Sequence, residues 1–240
     1  MNIKSSIKNI IGFTVFNLPL VKRLVRGGLT IFVFHEISDK PSEFCKDNDL
    51  AISIKSYIAI INWIQSNYKI ISPKDLLGGE IFYESSALIT FDDGFYGSFK
   101  NGLSILEERG ISSLFFLNMR PVIEGVPILS AVAIYLEKYD RNFVRFCIKN
   151  NLKSPFYLTL TPLLYSSFQI KYGKIDEDVI NSYQGRFVNS NLLKLQQDNN
   201  LVFYANHFYD HWNARALSDI EIKEQYYSNK KELCKYKNYI

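Results

Sequence analysis

The sequence is poor in the residues that most often carry metal and redox chemistry. It has three cysteines, Cys45, Cys147 and Cys234. They are widely spaced, odd in number and contain no CxxC, which excludes a secreted disulfide scaffold and fits a reducing compartment. The chain also lacks an apolar run long enough to cross a bilayer. Its best candidate, Ile10 to Val21, is twelve residues broken by Asn17 and Pro19, with no small-x-small cleavage site after it. Nor is one charge in general excess. The net charge of +4 comes from 28 basic and 24 acidic residues. Lys4, Lys8, Lys22, Arg23 and Arg26 all fall in residues 1–28, where no acid offsets them; the remaining 23 basic residues face all 24 acids. The body therefore lacks the basic composition of a nucleic-acid-binding domain. Segment 1–28 is expected to form a short helix packed on the domain, with a peripheral membrane contact as the alternative. The expected location is cytoplasmic, or membrane-associated if that contact exists.

Hydrophobic residues, by contrast, are plentiful. At 47% of 240 residues, with 15% aromatic, they can supply a sizeable core. Four short apolar runs read as buried parallel strands: Leu29–Phe34, Ala87–Phe91, Ile111–Leu117 and Leu201–Ala205. Helical patterns separate them. Ile54, Tyr57, Ile58, Ile61 and Ile64 share one face of a helix over Ser53–Asn67, and Phe99, Leu103 and Leu106 do the same before Gly110. This βαβα order predicts a parallel sheet or barrel. From Val122 to about Asn200 the pattern changes to helix-like runs at Val126–Lys138 and Asn142–Asn150, then a mixed stretch over Phe156–Ile170. That reads as an insertion between the third and fourth strands. Ser218-Asp219-Ile220-Glu221 is a capping box, so a helix is expected from Ser218 to about Leu233 with no closing element after it.

The chemistry-bearing residues sit at strand ends. Thr90-Phe91-Asp92-Asp93-Gly94 follows a buried strand, where an α/β barrel places its active-site rim. Gly94 lets the chain turn at once, so both carboxylates can reach the mouth; an ordinary Asp-Gly turn is the plainer alternative. His207-Phe208-Tyr209-Asp210-His211 follows the last apolar run, and two histidines four apart share a face on a helical turn. The chain has three histidines, His35, His207 and His211, and all follow the end of a predicted strand. With Asp93 the pair supplies two nitrogens and one oxygen, a set that suits zinc and leaves a position for water.

Taken together these segments resemble the polysaccharide deacetylases, the NodB-homology or carbohydrate esterase family four. Thr90–Gly94 looks like the family's first motif and His207-x-x-x-His211 like its second. Phe34-His35-Glu36-Ile37, Tyr68–Ser72 and Ser113–Leu117 are similar to neighbouring strands of the family. The likeness spans about 29–117 and 201–233, with the insertion outside it. The fold class it implies is α/β: a NodB-like distorted (β/α) barrel, incomplete at the C-terminus, with a mainly helical insertion over about 122–200. It also implies that Asp92 is the catalytic base, and that Asp93, His207 and His211 hold a divalent metal, zinc being the first expectation. The partner implied is a carbohydrate, an N-acetylated sugar of a surface polysaccharide or its precursor. His35 reads as a packed structural histidine or a pocket wall.

The sequence departs from the family pattern in three places. Phe208 and Trp212 stand where the second motif has Ser or Thr and Pro. The family's later arginine, pocket-lining residues and second catalytic histidine have no counterpart before Ile240. Activity is therefore expected to be impaired by truncation, since a missing general acid costs on the order of 10²- to 10⁴-fold. The alternative reading is a non-catalytic remnant that binds metal or carbohydrate.

Overall fold

The computed structural model describes residues 28–79 and 85–240, so the expectations for segment 1–28 lie outside the described residues apart from Gly28. The chain runs β1 (Leu29–Phe34), β2 (Glu36–Ile37), α1 (Glu43–Asp47), β3 (Ala51–Ile52), α2 (Ile54–Asn67), β4 (Lys69–Ile70), α3 (Pro73–Leu77) and β5 (Ser86–Phe91). A π-helix over Ser98–Leu103 leads into α4 (Ser104–Glu107), then β6 (Ser113–Leu117), α5 (Met119–Glu124), α6 (Leu129–Tyr139) and α7 (Arg141–Lys149). After α8 (Pro162–Tyr172), α9 (Glu177–Gln184) and α10 (Ser190–Leu195) the chain re-enters the sheet as β7 (Val202–Asn206) and ends with α11 (Asp219–Leu233).

The main sheet is parallel, in the order β1-β5-β6-β7, with the short β4 paired to the start of β5. This matches the α/β fold expected, with an open arc of strands rather than a closed barrel. β5 lies at its centre and all six of its residues are buried. β1, at the edge, differs from expectation: Ile31 is 52% and Val33 49% exposed, and among the described residues only its other face is packed. Side chains alternate across a strand. One face of the sheet, with Phe34, Ile89, Phe91, Phe115 and Tyr204, forms a core with Tyr57, Ile61 and Ile64 of α2 and Leu233 of α11. Ser53 caps α2 by accepting the Ser56 N–H at 3.1 Å, which fixes where that apolar face begins. Each of the three α2 residues is fully buried, worth roughly 1.5–3 kcal/mol per side chain.

The stretch from about 122 to 200 is helical, as expected, and includes α9 and α10, which the sequence pattern did not mark. It builds a second core, in which Val132, Leu136, Phe143, Phe168 and Ile180 pack with Phe44 of α1 and Phe95 from the turn after β5. That packing sets α6 and α9 against the C-terminal ends of the strands. The end of the chain also differs from expectation. After α11, Tyr239 bridges Tyr204 in parallel, with Tyr204 N donating to Asn238 O at 2.9 Å and Ile240 N to Tyr204 O at 3.1 Å. Asn238 is held there by a hydrogen bond from Nδ2 to Val202 O at 2.8 Å. The outer edge of β7 is therefore partly paired.

Candidate metal centre

The site forms where β5 and β7 end. Asp92 continues the sheet for one residue, its N–H donating to Phe34 O at 2.9 Å. The chain then turns at Asp93 (φ 70°) and Gly94 (φ 101°), both in the left-handed region. The positive φ is what favours glycine at position 94, and a Cβ there would in addition press on Leu117 Cδ2 at 3.1 Å. The turn buries Asp93, which is 3% exposed, and leaves Asp92 half-buried beside it.

The histidine segment is not the helical turn its spacing predicted. Residues 207–213 are irregular, and Phe208 (φ 65°) and His211 (φ 54°) both take left-handed backbone. A four-residue spacing can bring two imidazoles together without a helix when the loop is held at several points. Asn118, fully buried just past β6, does this: its Nδ2 donates to the carbonyls of His207 and of Phe208, the latter at 3.0 Å. Asn118 N also donates to Asp93 O at 3.4 Å, so one residue ties both motifs. Asn206 Oδ1 accepts the Phe208 N–H at 2.9 Å and is itself held by Asn229 Nδ2 at 3.0 Å.

The result is convergence on one oxygen. His207 Nε2 lies 3.2 Å and His211 Nε2 3.1 Å from Asp93 Oδ1. The three ligand atoms all lie within 4.8 Å of one another. Two bonds of 2.0–2.2 Å from one ion at a tetrahedral angle would set their ends roughly 3.3–3.6 Å apart, so the observed spacing needs only slight expansion to hold one. Asp93 Oδ1 is buried and makes no well-aligned hydrogen bond, despite its two nitrogen neighbours. A cation shared among the three atoms would resolve that otherwise costly burial. The residues present therefore fit a divalent metal. His211 Nδ1 lies 2.8 Å from Ser130 Oγ on α6, and with Nε2 turned to a metal, Nδ1–H donates to that hydroxyl.

Electrostatics separate the two aspartates. Burial alone would raise Asp93, but the imidazoles of His211 and His207 outweigh it and hold its carboxyl well below the usual range. Burial raises Asp92 above its ordinary value, against the opposing pull of His207 and His35 and with a further push from Asp93. His207 is raised on balance: burial lowers it, and the carboxylates of Asp93 and Asp92 more than compensate. Asp92 and His35 stand outside the group of three. Asp210, 6% exposed, pairs through Oδ2 with Arg120 Nη1 at 2.6 Å. Sequence reasoning missed Asn118, Ser130, Arg120 and Asn229. Asn118 could have been found, being a polar residue one step past a predicted strand; nothing in the sequence ties Ser130 to a histidine 81 residues away.

The fold is that of the polysaccharide deacetylase structures. The chain is similar to IcaB from Ammonifex degensii, with a TM-score of 0.50 and 16% identity, over 86% of this chain and 66% of that one. It is also similar to BC0361, a polysaccharide deacetylase from Bacillus cereus, with a TM-score of 0.53 and 13% identity, over 88% of this chain and 48% of that one. The chain thus spans 66% of the first structure and about half of the second. No protein-family model and no curated protein matches the sequence. Among the described residues no helix is long and apolar enough to cross a membrane.

Proposed function

We propose that the chain is a metal-dependent hydrolase that removes acetyl groups from N-acetylated sugars of a surface polysaccharide or its precursor. The observation that carries this reading is the convergence of both imidazole Nε2 atoms on Asp93 Oδ1, with Asp92 alongside but outside that group. Asp93, His207 and His211 would hold the metal, and a set of two nitrogens and one carboxylate suits zinc. The metal supplies Lewis acidity at the acetamide carbonyl and a water of lowered pKa. Asp92, outside the ligand set and with its carboxyl raised above the ordinary value by burial, would serve as the general base that accepts a proton. Ser130 fixes the His211 ring through Nδ1.

The cysteines, all unpaired, support a reducing location such as the cytoplasm. The test is metal analysis of the purified chain with acetate-release assays on N-acetylated oligosaccharides. About one equivalent of zinc is expected, lost in Asp93→Ala and in His207→Ala, with any acetate release lost in Asp92→Asn while metal is retained. Binding of metal without acetate release from any N-acetylated oligosaccharide would favour the remnant reading; absence of metal binding would sink both.

A further inference from the structure

A cavity of about 390 Å³ lies beside the centre, and its walls carry an unusual charge pattern. One of its walls continues a segment of the site, Phe95-Tyr96-Gly97 directly following Asp92-Asp93-Gly94, and a second is the start of β2, where Glu36 follows His35. Its third wall, Ser182 to Arg186, comes from the helical stretch. Hydrogen bonds lock that wall in place, Tyr96 N donating to Arg186 O at 2.9 Å and Val188 N to Gly94 O at 3.0 Å. Close packing holds the floor, where a Cβ at Gly97 would come within 2.6 Å of Ile37 O.

Three cations line this cavity, Lys40, Lys100 and Arg186, against one acid, Glu36. Among the described residues none of the three makes an ion pair, whereas Lys138 engages both Glu43 and Asp47. Like charges around a concavity raise a positive potential there. Glu36 cancels only part of it: burial pushes its carboxyl up to about 7, so it is ionised only in part near neutrality, and one oxygen is already occupied by the Gly97 N–H at 3.0 Å. The Arg186 guanidinium lies 3.9 Å from the centre of the Tyr96 ring, with Lys100 Nζ 5.9 Å from the same ring. Stacking on an aromatic face fixes the plane of the guanidinium and leaves its N–H edge free for a two-point contact with an oxyanion.

We infer that this cavity is a subsite for an anionic group, phosphate or carboxylate, on the saccharide whose N-acetyl group lies at Asp92 and Asp93. The substrate class is then an anionic glycan rather than a neutral one, an assignment that rests on the deacetylase reading for the identity of the saccharide. Phosphate and carboxylate share the chemistry that the cations recognise, and the experiment separates them.

The test is titration of the full chain, followed by NMR, with N-acetylglucosamine 1-phosphate, N-acetylmuramic acid and neutral N-acetylglucosamine at low and high salt. At low salt one or both anionic sugars should bind about tenfold or more tighter than the neutral one, a preference that shrinks as salt screens the cations. Lys100→Ala/Arg186→Ala should abolish the preference without changing metal content. Asp93→Ala should lose the metal yet keep the preference, so failure of the metal reading and failure of this one are distinguishable. Which anionic sugar binds identifies the group. Equal affinity for all three sugars, or a preference that survives the double substitution, would overturn the inference.

Discussion

Ser130 Oγ stands 2.8 Å from His211 Nδ1, so a residue of α6 orients a histidine of the loop after β7. The helical stretch between β6 and β7 therefore reaches into the centre as well as packing beside it. Ser130→Ala should weaken metal affinity by about 10- to 100-fold, the usual effect of losing a partner on the far nitrogen of a ligand histidine. Ser130→Thr keeps a hydroxyl and should restore most of the affinity. Competition titration with a chromophoric chelator measures both; unchanged affinity in the alanine variant would remove Ser130 from the centre.

The second prediction concerns Asn229, fully buried on α11. Its Nδ2 donates to Leu117 O at 2.8 Å and its Oδ1 accepts the Met119 N–H at 2.8 Å, which fixes the chain as it leaves β6 for Asn118. Asn229→Leu has similar volume but leaves the Met119 N–H without a partner, at about 1–3 kcal/mol, and takes one of two donors from Leu117 O, which keeps the His207 N–H at 3.3 Å, for about 0.5–1.5 kcal/mol more. Urea unfolding should therefore show a loss of about 2–4 kcal/mol, with weaker metal binding as Asn118 loses its anchor. A loss under 1 kcal/mol would mean that water reaches these groups.

These two residues mark the limit of what was legible in the sequence. β5 and β7 were readable because burial on both faces makes a strand continuously apolar, and Asp92, Asp93, His207 and His211 because they break that run at its end. α2 and α11 were marked by periodicity and by the Ser218 capping box. The conformation of His207–His211 was not legible: spacing suggested a helix, but hydrogen bonds from Asn118 and Asn206 impose left-handed backbone at Phe208 and His211. Long-range side-chain bonds leave no periodic trace. The pairing of Tyr239 with β7 was hidden for the same reason, since two or three residues are too few to show an alternation.

Arg120 pairs with Asp210 of the histidine loop, whose Oδ1 has no partner among the described residues. Removing the guanidinium strands a nearly buried carboxylate next to His211. Arg120→Ala should cost about 1–3 kcal/mol, less than the 3–5 of a fully buried pair because Arg120 is partly exposed. Glu124, which also contacts Arg120, is a surface partner, and Glu124→Ala should cost about 0.5 kcal/mol or less. Arg120→Met/Asp210→Asn should recover part of the loss, because no charge remains uncompensated. Additive losses in thermal or urea unfolding would count against the coupling.

The last prediction follows from Glu36. Its folded-state carboxyl sits at about 7 against an ordinary 4.5, with burial the main cause. The folded chain thus holds a proton that the unfolded chain releases between those values. The stabilising difference is complete below about pH 4.5 and is lost as pH rises through about 7. Glu36→Gln cannot ionise and still offers an oxygen to the Gly97 N–H. The variant should match the wild type in stability near pH 4.5 and exceed it at pH 8, by an amount on the order of 1–3 kcal/mol. Urea unfolding at the two pH values reads this directly, and shared pH effects of other groups cancel in the difference. A wild-type-to-variant difference that is the same at both pH values would show that Glu36 reaches water and titrates normally. It would then also place a full negative charge among Lys40, Lys100 and Arg186, weakening the cavity's preference for an anion.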